Sequence, residues 1–310
     1  MPIWFKNKKT KATERLGLSL SANALACCVV AKAEPRLLST GVYTLESNAA
    51  LTETLARLTR EQGWRGLPCH ISLAADDYKL LPAETPAVPE AEINQALLWS
   101  LREVLDTKPE DTVLESFAFA SGISRPGKPA RHVVTASKQR IRGIVEAVRE
   151  AGLDLESIDI PELSLRNVTS RLPENGQGIG LISQSARGVS VTIYRAGELY
   201  VTRQLAGISN FDDATHPLTM PRLAEQLGLE LLRTLDYYDS QLHQRPPAAI
   251  YLQPLHGEIR PLLDNLGTTI NLPIKLLQFV DVLPGGERVT GELQSRCLSA
   301  LGAALREDVA

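Results

Sequence analysis

The sequence predicts an α/β protein built from two copies of one supersecondary unit, with a small α/β insert in the first copy. Two stretches carry most of that reading. "RLGLSLSANALACCVVAKAEPRLLSTGVYTL", residues 15 to 45, alternates apolar and polar residues, turns at small polar residues, runs apolar and turns again. This is the signature of a strand, a tight turn, a central strand and a third strand. "GIGLISQSARGVSVTIYRAGELYVTRQLA", residues 178 to 206, repeats the plan about 160 residues later, and a repeat at that spacing marks an internal duplication rather than one large sheet. At 310 residues the chain is long enough to bury the cores of two such units.

The elements follow in order. Residues 50–64 carry leucines at 51, 55 and 58 and end near Gly63, which predicts an amphipathic helix. "PCHISLAADDYKLLPAE" is a strand, a turn and a short extended piece, so the first unit reads β-β-β-α-β, one RNase-H-like half. Past the proline-rich "PAETPAVPEAE", residues 90–104 form a helix with Ile93, Leu97, Leu98, Leu101 and Val104 on one stripe. Strands at "VLESFAFA" and "HVVTAS" flank the loop "GISRPGKPAR", and the helix "KQRIRGIVEAVREAG" stops at Gly152. A strand and helix in "LDLESIDIPELSLRNVTSRL" complete the insert. The second half continues with a long helix presenting Leu223, Leu227, Leu231 and Leu235, a strand "AAIYLQPL", a helix "GEIRPLLDNLG", a strand "LPIKLLQF" and a closing helix "GELQSRCLSALGAALRE". The organisation is therefore an arm (1–13), a first lobe (14–83), an insert (84–163), a return helix to the first lobe (164–177), a second lobe (178–285) and a C-terminal helix closing on the first lobe (286–310).

Composition narrows the function. A net charge of −3 and a pI near 6.0 argue against a nucleic-acid binder, which needs a basic face to displace phosphate counterions. Cys27, Cys28, Cys69 and Cys297 form no CxxC pair and lack zinc spacing, and three of them sit in apolar surroundings as reduced buried thiols do. The longest apolar run, "ALACCVVA", is far short of a membrane span, and the N-terminus lacks a signal-peptide core, so the chain reads as cytoplasmic. In "MPIWFKNKKTKATER", Trp4 and Phe5 sit beside Lys6, Lys8, Lys9 and Lys11. Aromatics next to a basic cluster suit an anionic membrane surface, and a solvated terminus is the plainer alternative.

Isolated candidates for chemistry are few. Asp76 and Asp77 follow a strand, where an acid–base pair could act or a solvated turn could sit. Asp212, Asp213 and His216 could ligate a metal but have the irregular spacing of a loop. "GQGIG" (176–180) mimics a phosphate loop but precedes a strand rather than following one. His70 and His132 border strands as structural residues do.

The element order, together with "VVTASKQRIRGIVEAVREAGLDLESIDIPELSLRN", "YRAGELYVTRQL", "LGLELLRTLDYYDSQ" and "LSALGAALR", resembles the PilM family of actin-like pilus-assembly proteins over residues 14 to 306. In style it is most similar to the MshI-type members that serve mannose-sensitive haemagglutinin (MSHA) pilus biogenesis. The resemblance implies an actin-like (FtsA/PilM-type) fold, two RNase-H-like lobes about a nucleotide cleft with a small α/β insert in the first lobe. It also implies a D-x-G turn in each hairpin, whose Asp positions Mg²⁺ and whose glycine admits backbone N–H groups to phosphate oxygens. Here Ser19 and Ser183 stand at the Asp positions, Ser21 and Ser185 at the glycines, and "QPLHG" puts Pro254 and His256 beside Gly257 where the family has a glycine pair.

Two readings follow from the resemblance. In one the protein is a non-catalytic scaffold of a type IV pilus machine, peripheral at the inner membrane, that binds the cytoplasmic tail of a PilN-like inner-membrane protein alongside other assembly components. No cofactor is then expected, and ATP with Mg²⁺ binds only at low affinity. In the other it is a weak ATPase or nucleotide-gated switch in pilus or type II secretion assembly, using carboxylates such as Asp76 or Asp212. The implied partner groove lies near residues 80–89 and the helix 90–104, with Leu97 and Trp99 as its candidate contacts; Trp99 falls off the leucine stripe.

Overall fold

The computed structural model describes residues 13–46, 50–120 and 130–307. Arm residues Trp4, Phe5, Lys6, Lys8, Lys9 and Lys11 lie outside them. In the first lobe β1 (Glu14–Leu20), β2 (Ala24–Ala31) and β3 (Leu37–Thr44) form an antiparallel meander. The helix α1 (Ala50–Gln62) then returns the chain so that β4 (Pro68–Ser72) lies parallel to β1. Such a parallel return needs a crossover, and α1 supplies it.

The insert is a three-stranded antiparallel sheet. Its strands β5 (Tyr78–Glu84), β6 (Thr112–Ala118) and β7 (Ala130–Ser137) lie in the order β5-β7-β6, and the helix α2 (Ile93–Ser100) packs against β6. It is smaller than the 84–163 segment read from the sequence. The helix α3 (Lys138–Glu150) and strand β8 (Asp154–Asp159) belong to the first lobe, because β8 pairs in parallel with β4 and Ile144 and Val148 enter the core that Leu51, Leu55 and Leu58 of α1 build. The first sheet is thus β3-β2-β1-β4-β8. The expected helix over 90–104 is also shorter: its stripe is buried at Ile93 and Leu97, but Val104 is half exposed beyond a turn.

After the helix α4 (Pro161–Thr169), the second lobe repeats the plan. The strands β9 (Ile179–Ser185), β10 (Gly188–Arg195) and β11 (Glu198–Gln204) form the meander. The helix α5 (Met220–Ser240) crosses over to β12 (Ala249–Leu252), and α6 (Arg260–Thr269) leads to β13 (Ile274–Leu276). The order β11-β10-β9-β12-β13 is that of the first sheet, strand for strand. A short α7 (Phe279–Val282) and the long α8 (Gly291–Ala304) close the chain.

The duplication extends to the last helices, which cross between the lobes. α8 follows the second sheet in sequence but packs on β1, β2, β3 and β4 of the first. α4, read from the sequence as returning to the first lobe, lies against β10 and β11 of the second sheet and against α8. Their apolar faces meet in one core that joins Cys28 and Val30 of the first sheet to Leu181 and Tyr194 of the second through Leu165, Val168, Leu298 and Leu301. Each leucine fully buried there contributes roughly 1.5–3 kcal/mol.

Two glycines set how close these layers come. A Cβ on Gly17 of β1 would lie 2.0 Å from the Ala300 carbonyl oxygen, and one on Gly302 of α8 would lie 2.1 Å from the Ser164 carbonyl oxygen on α4. Backbone therefore touches backbone on both sides of α8, an approach only glycine permits. Gly17→Ala is expected to lower unfolding stability by about 3 kcal/mol, the scale of overpacking a tight core. Gly143→Ala, on an open face of α3 where a Cβ meets nothing within 4 Å, is expected to raise it by up to about 1 kcal/mol. Urea titration of both variants checks the pair; a Gly17→Ala protein as stable as wild type contradicts the contact.

Candidate functional site

The two hairpin turns face each other across a cleft of about 780 Å³ between the lobes. The serine positions singled out from the sequence converge there: Ser19 and Ser21 from β1–β2, Ser183 and Ser185 from β9–β10. Asp76, Asp212 and His256 line it as well. Gly257 and Pro254 do not; Gly257 lies against Thr215, which does.

The other sequence candidates are held in structural roles. Asp77 is paired with Arg140 at 2.9 Å, and Asp213 accepts a 2.7 Å hydrogen bond from Thr219 Oγ1. Residues 176–180 do not form a phosphate loop: Gly180 is a β9 residue against the Ile250 side chain. His70 is buried with Nδ1 2.8 Å from Ser157 Oγ and Nε2 3.2 Å from Glu156, and His132 stacks between Phe117 and Phe119. The His70 hydrogen bond holds the Glu156 carboxyl below the usual carboxylate range. Burial, with Cys297 close by, pushes the Cys27 thiol up to about 12, so it stays protonated and inert at neutral pH. Leu97 requires a correction. It is buried among Ile93, Leu114 and Val133 in the core of the insert, because α2 turns that face to β6. Trp99, on the opposite side, is 56% exposed.

What the cleft can do chemically depends on how its polar groups are already engaged. The hydroxyls of the turns are used locally: Ser21 Oγ donates to the Ala24 carbonyl at 3.1 Å, and Ser185 Oγ accepts from the Arg187 N–H at 3.2 Å. The backbone N–H of Gln184, centred in the second turn's Ser-Gln-Ser triplet, donates to Gln253 Oε1 at 2.9 Å, while Gln184 Oε1 accepts from the Phe211 N–H at 3.0 Å. Gln253 is buried at the end of β12. Side chains of the protein thus satisfy a donor that a phosphate oxygen would need.

Charge points the same way. The carboxylates of Asp76, Glu162, Asp212 and Glu292 and the guanidiniums of Arg187, Arg203 and Arg296 are interspersed along the walls, so the described residues give no positive surplus to draw a triphosphate. Among the described residues no three His, Cys, Asp or Glu side chains group to hold a metal ion.

Sequence reasoning missed Gln253, Arg187, Tyr78 and Glu162. Arg187 at the tip of the second turn lies over the Tyr78 ring, 4.5 Å from its centroid, and Tyr78 donates to Glu162 Oε2 at 2.6 Å. Burial, reinforced by the Glu162 carboxylate, pushes the Tyr78 phenol far above its ordinary range, so it stays a donor. The one signal available was the contrast between the turns: "SARG" carries a charge and a glycine where "SANA" has neither.

Gln253→Ala is expected to destabilise the protein by about 1–3 kcal/mol through the orphaned Gln184 donor, whereas Ser21→Ala in the exposed first turn changes stability by less than about 0.5 kcal/mol. Thermal and urea unfolding distinguish these outcomes, and equal effects would contradict the assigned bond.

No protein-family model matches the chain. Among curated proteins it is 24% identical to the cell division protein FtsA of Pseudomonas aeruginosa over 242 residues, covering 73% of this chain and 58% of that protein's length. Among solved structures, the "PilM-PilN type IV pilus biogenesis complex" superposes with a TM-score of 0.69 at 22% identity over 94% of this chain and 98% of that one. A Bacteroides thetaiotaomicron protein of actin-like ATPase fold and unknown function superposes with a TM-score of 0.51 at 11% identity over 91% of this chain and 95% of that one. With its duplicated β3-β2-β1-β4-β8 sheets, crossed terminal helices and interlobe cleft, the chain has an actin-like fold of PilM type.

Proposed function

We propose that this protein is a non-catalytic scaffold of a type IV pilus assembly machine that works without a bound nucleotide. The observation that carries the reading is the self-satisfied cleft: serines at both positions where the family resemblance implies an aspartate, and a Gln184 N–H already bonded to Gln253. A serine hydroxyl lacks the charge that makes Mg²⁺ binding favourable. The PilM-type fold over nearly the whole chain supports the pilus setting, and assignment to the MSHA branch is part of the same proposal.

The partner in this reading is the cytoplasmic tail of a PilN-like inner-membrane protein, docked on the insert. An extended peptide gains affinity by adding to a sheet edge while alternate side chains fill pockets, which needs no ATP chemistry. The insert sheet has β5 and β6 as its outer strands, and β5 carries Pro82, as edge strands do. Exposed Trp99 on α2, which packs on β6, offers the aromatic anchor such an interface uses. The alternative of a weak ATPase draws support from Asp76 and Asp212, which both line the cleft.

Calorimetric titration with Mg-ATP is expected to give no saturable binding; a micromolar dissociation constant would favour the ATPase reading. A tail peptide is expected to be retained by wild type without nucleotide and lost by Trp99→Ala, with circular dichroism confirming the fold. Retention by Trp99→Ala refutes the dock. The basic arm belongs to the same picture: deleting residues 1–11 is expected to leave the fold intact and reduce co-sedimentation with anionic liposomes at low salt, each lysine contributing roughly 1 kcal/mol. Equal sedimentation with and without the arm removes it from the account.

A further inference from the structure

A chain of contacts crosses the cleft and closes on itself. It starts at Arg187, on the β9–β10 turn of the second lobe, whose guanidinium stacks on the face of Tyr78, where the first lobe passes into the insert. Tyr78 is 5% exposed while Arg187 is exposed, so the guanidinium covers a buried ring from the solvent side, the geometry of a cation–π contact of about 0.5–1 kcal/mol. The Tyr78 hydroxyl donates to the Glu162 side chain in the first turn of the crossing helix α4. The Glu162 backbone carbonyl in turn accepts a 2.8 Å bond from Tyr194 Oη, on β10 of the second lobe. The path runs from second lobe to first lobe, to crossing helix and back to second lobe. Each hydroxyl donates to Glu162, Tyr78 to its carboxylate and Tyr194 to its backbone carbonyl, and the Arg187 guanidinium covers the Tyr78 ring.

We propose that this Arg187–Tyr78–Glu162–Tyr194 ring is a built-in clamp that ties the hairpin turn of the second lobe to the first lobe across the cleft. A ligand seated between two lobes ties them by contacting both, and the ring does so with side chains alone. The clamp stands on cleft geometry and does not depend on the pilus reading. Both Arg187 and Tyr78 line the cleft, so the contact lies on its wall.

The direct test is hydrogen–deuterium exchange of the full chain, comparing wild type with Arg187→Ala and Tyr78→Phe. Arg187→Ala is expected to speed exchange in both 183–190 and 75–80 by roughly two- to fivefold, the scale of one cation–π contact made by an exposed arginine, while the strands of both sheets keep wild-type protection. Tyr78→Phe keeps the ring under Arg187 and removes the bond to Glu162, so it is expected to loosen 160–164 and leave 183–190 unchanged. Unchanged exchange at 75–80 in Arg187→Ala, or loosening confined to the mutated turn, overturns the clamp. Global loss of protection in Arg187→Ala also overturns it, since the arginine would then serve the fold rather than the tie.

Discussion

The contact on which the rest of the molecule depends is the seating of α8 against β1 at Gly17 and against α4 at Gly302. Because backbone meets backbone on both sides, α8 lies flush on the first sheet although it belongs by sequence to the second lobe, and α4 makes the reciprocal crossing. The lobes are joined by a shared apolar core rather than by a flexible strap. That core sets the floor of the cleft and brings the two hairpins, nearly identical in plan and some 160 residues apart in sequence, to face each other.

What fills the space between the hairpins follows from that placement. The turn residues are exposed, so their backbone groups take partners from water or from neighbouring side chains. In this chain Gln253, Gln184 and the turn serines provide those partners. Arg187 and Tyr78 then meet on the cleft wall. The Gln184 N–H in the cleft is engaged by Gln253, and on the insert Trp99 is exposed on the side of α2 away from its core.

Much of the fold was legible because local pattern and duplication agree. Alternation in "LGLSLS", the apolar run "ALACCVVA" and the leucine stripes identified strands and helices, and the second copy repeated them. The insert boundary was not legible, because α3 and β8 follow β7 without a break in pattern and only the pairing of β8 with β4 assigns them to the first lobe. The cleft was half legible. Ser19, Ser21, Ser183 and Ser185 were located because the family resemblance implies a D-x-G turn at those places in each hairpin. Gln253 reaches Gln184 from 69 residues away, and Tyr78 meets Arg187 across the lobes, so neither pair forms a motif. Leu97 and Trp99 are two residues apart on one short helix, and which of them faced the core was decided by the side of α2 that meets β6.

The proposed scaffold role requires that the partner's tail dock without a nucleotide. Its most direct measurement is the affinity of full-length protein for the cytoplasmic tail peptide, determined by calorimetry in metal- and nucleotide-free buffer and again with saturating Mg-ATP. The account predicts the same dissociation constant in both. Tight binding that appears only with Mg-ATP, or a tenfold shift of affinity between the two conditions, equivalent to about 1.4 kcal/mol of coupling between cleft and dock, contradicts it.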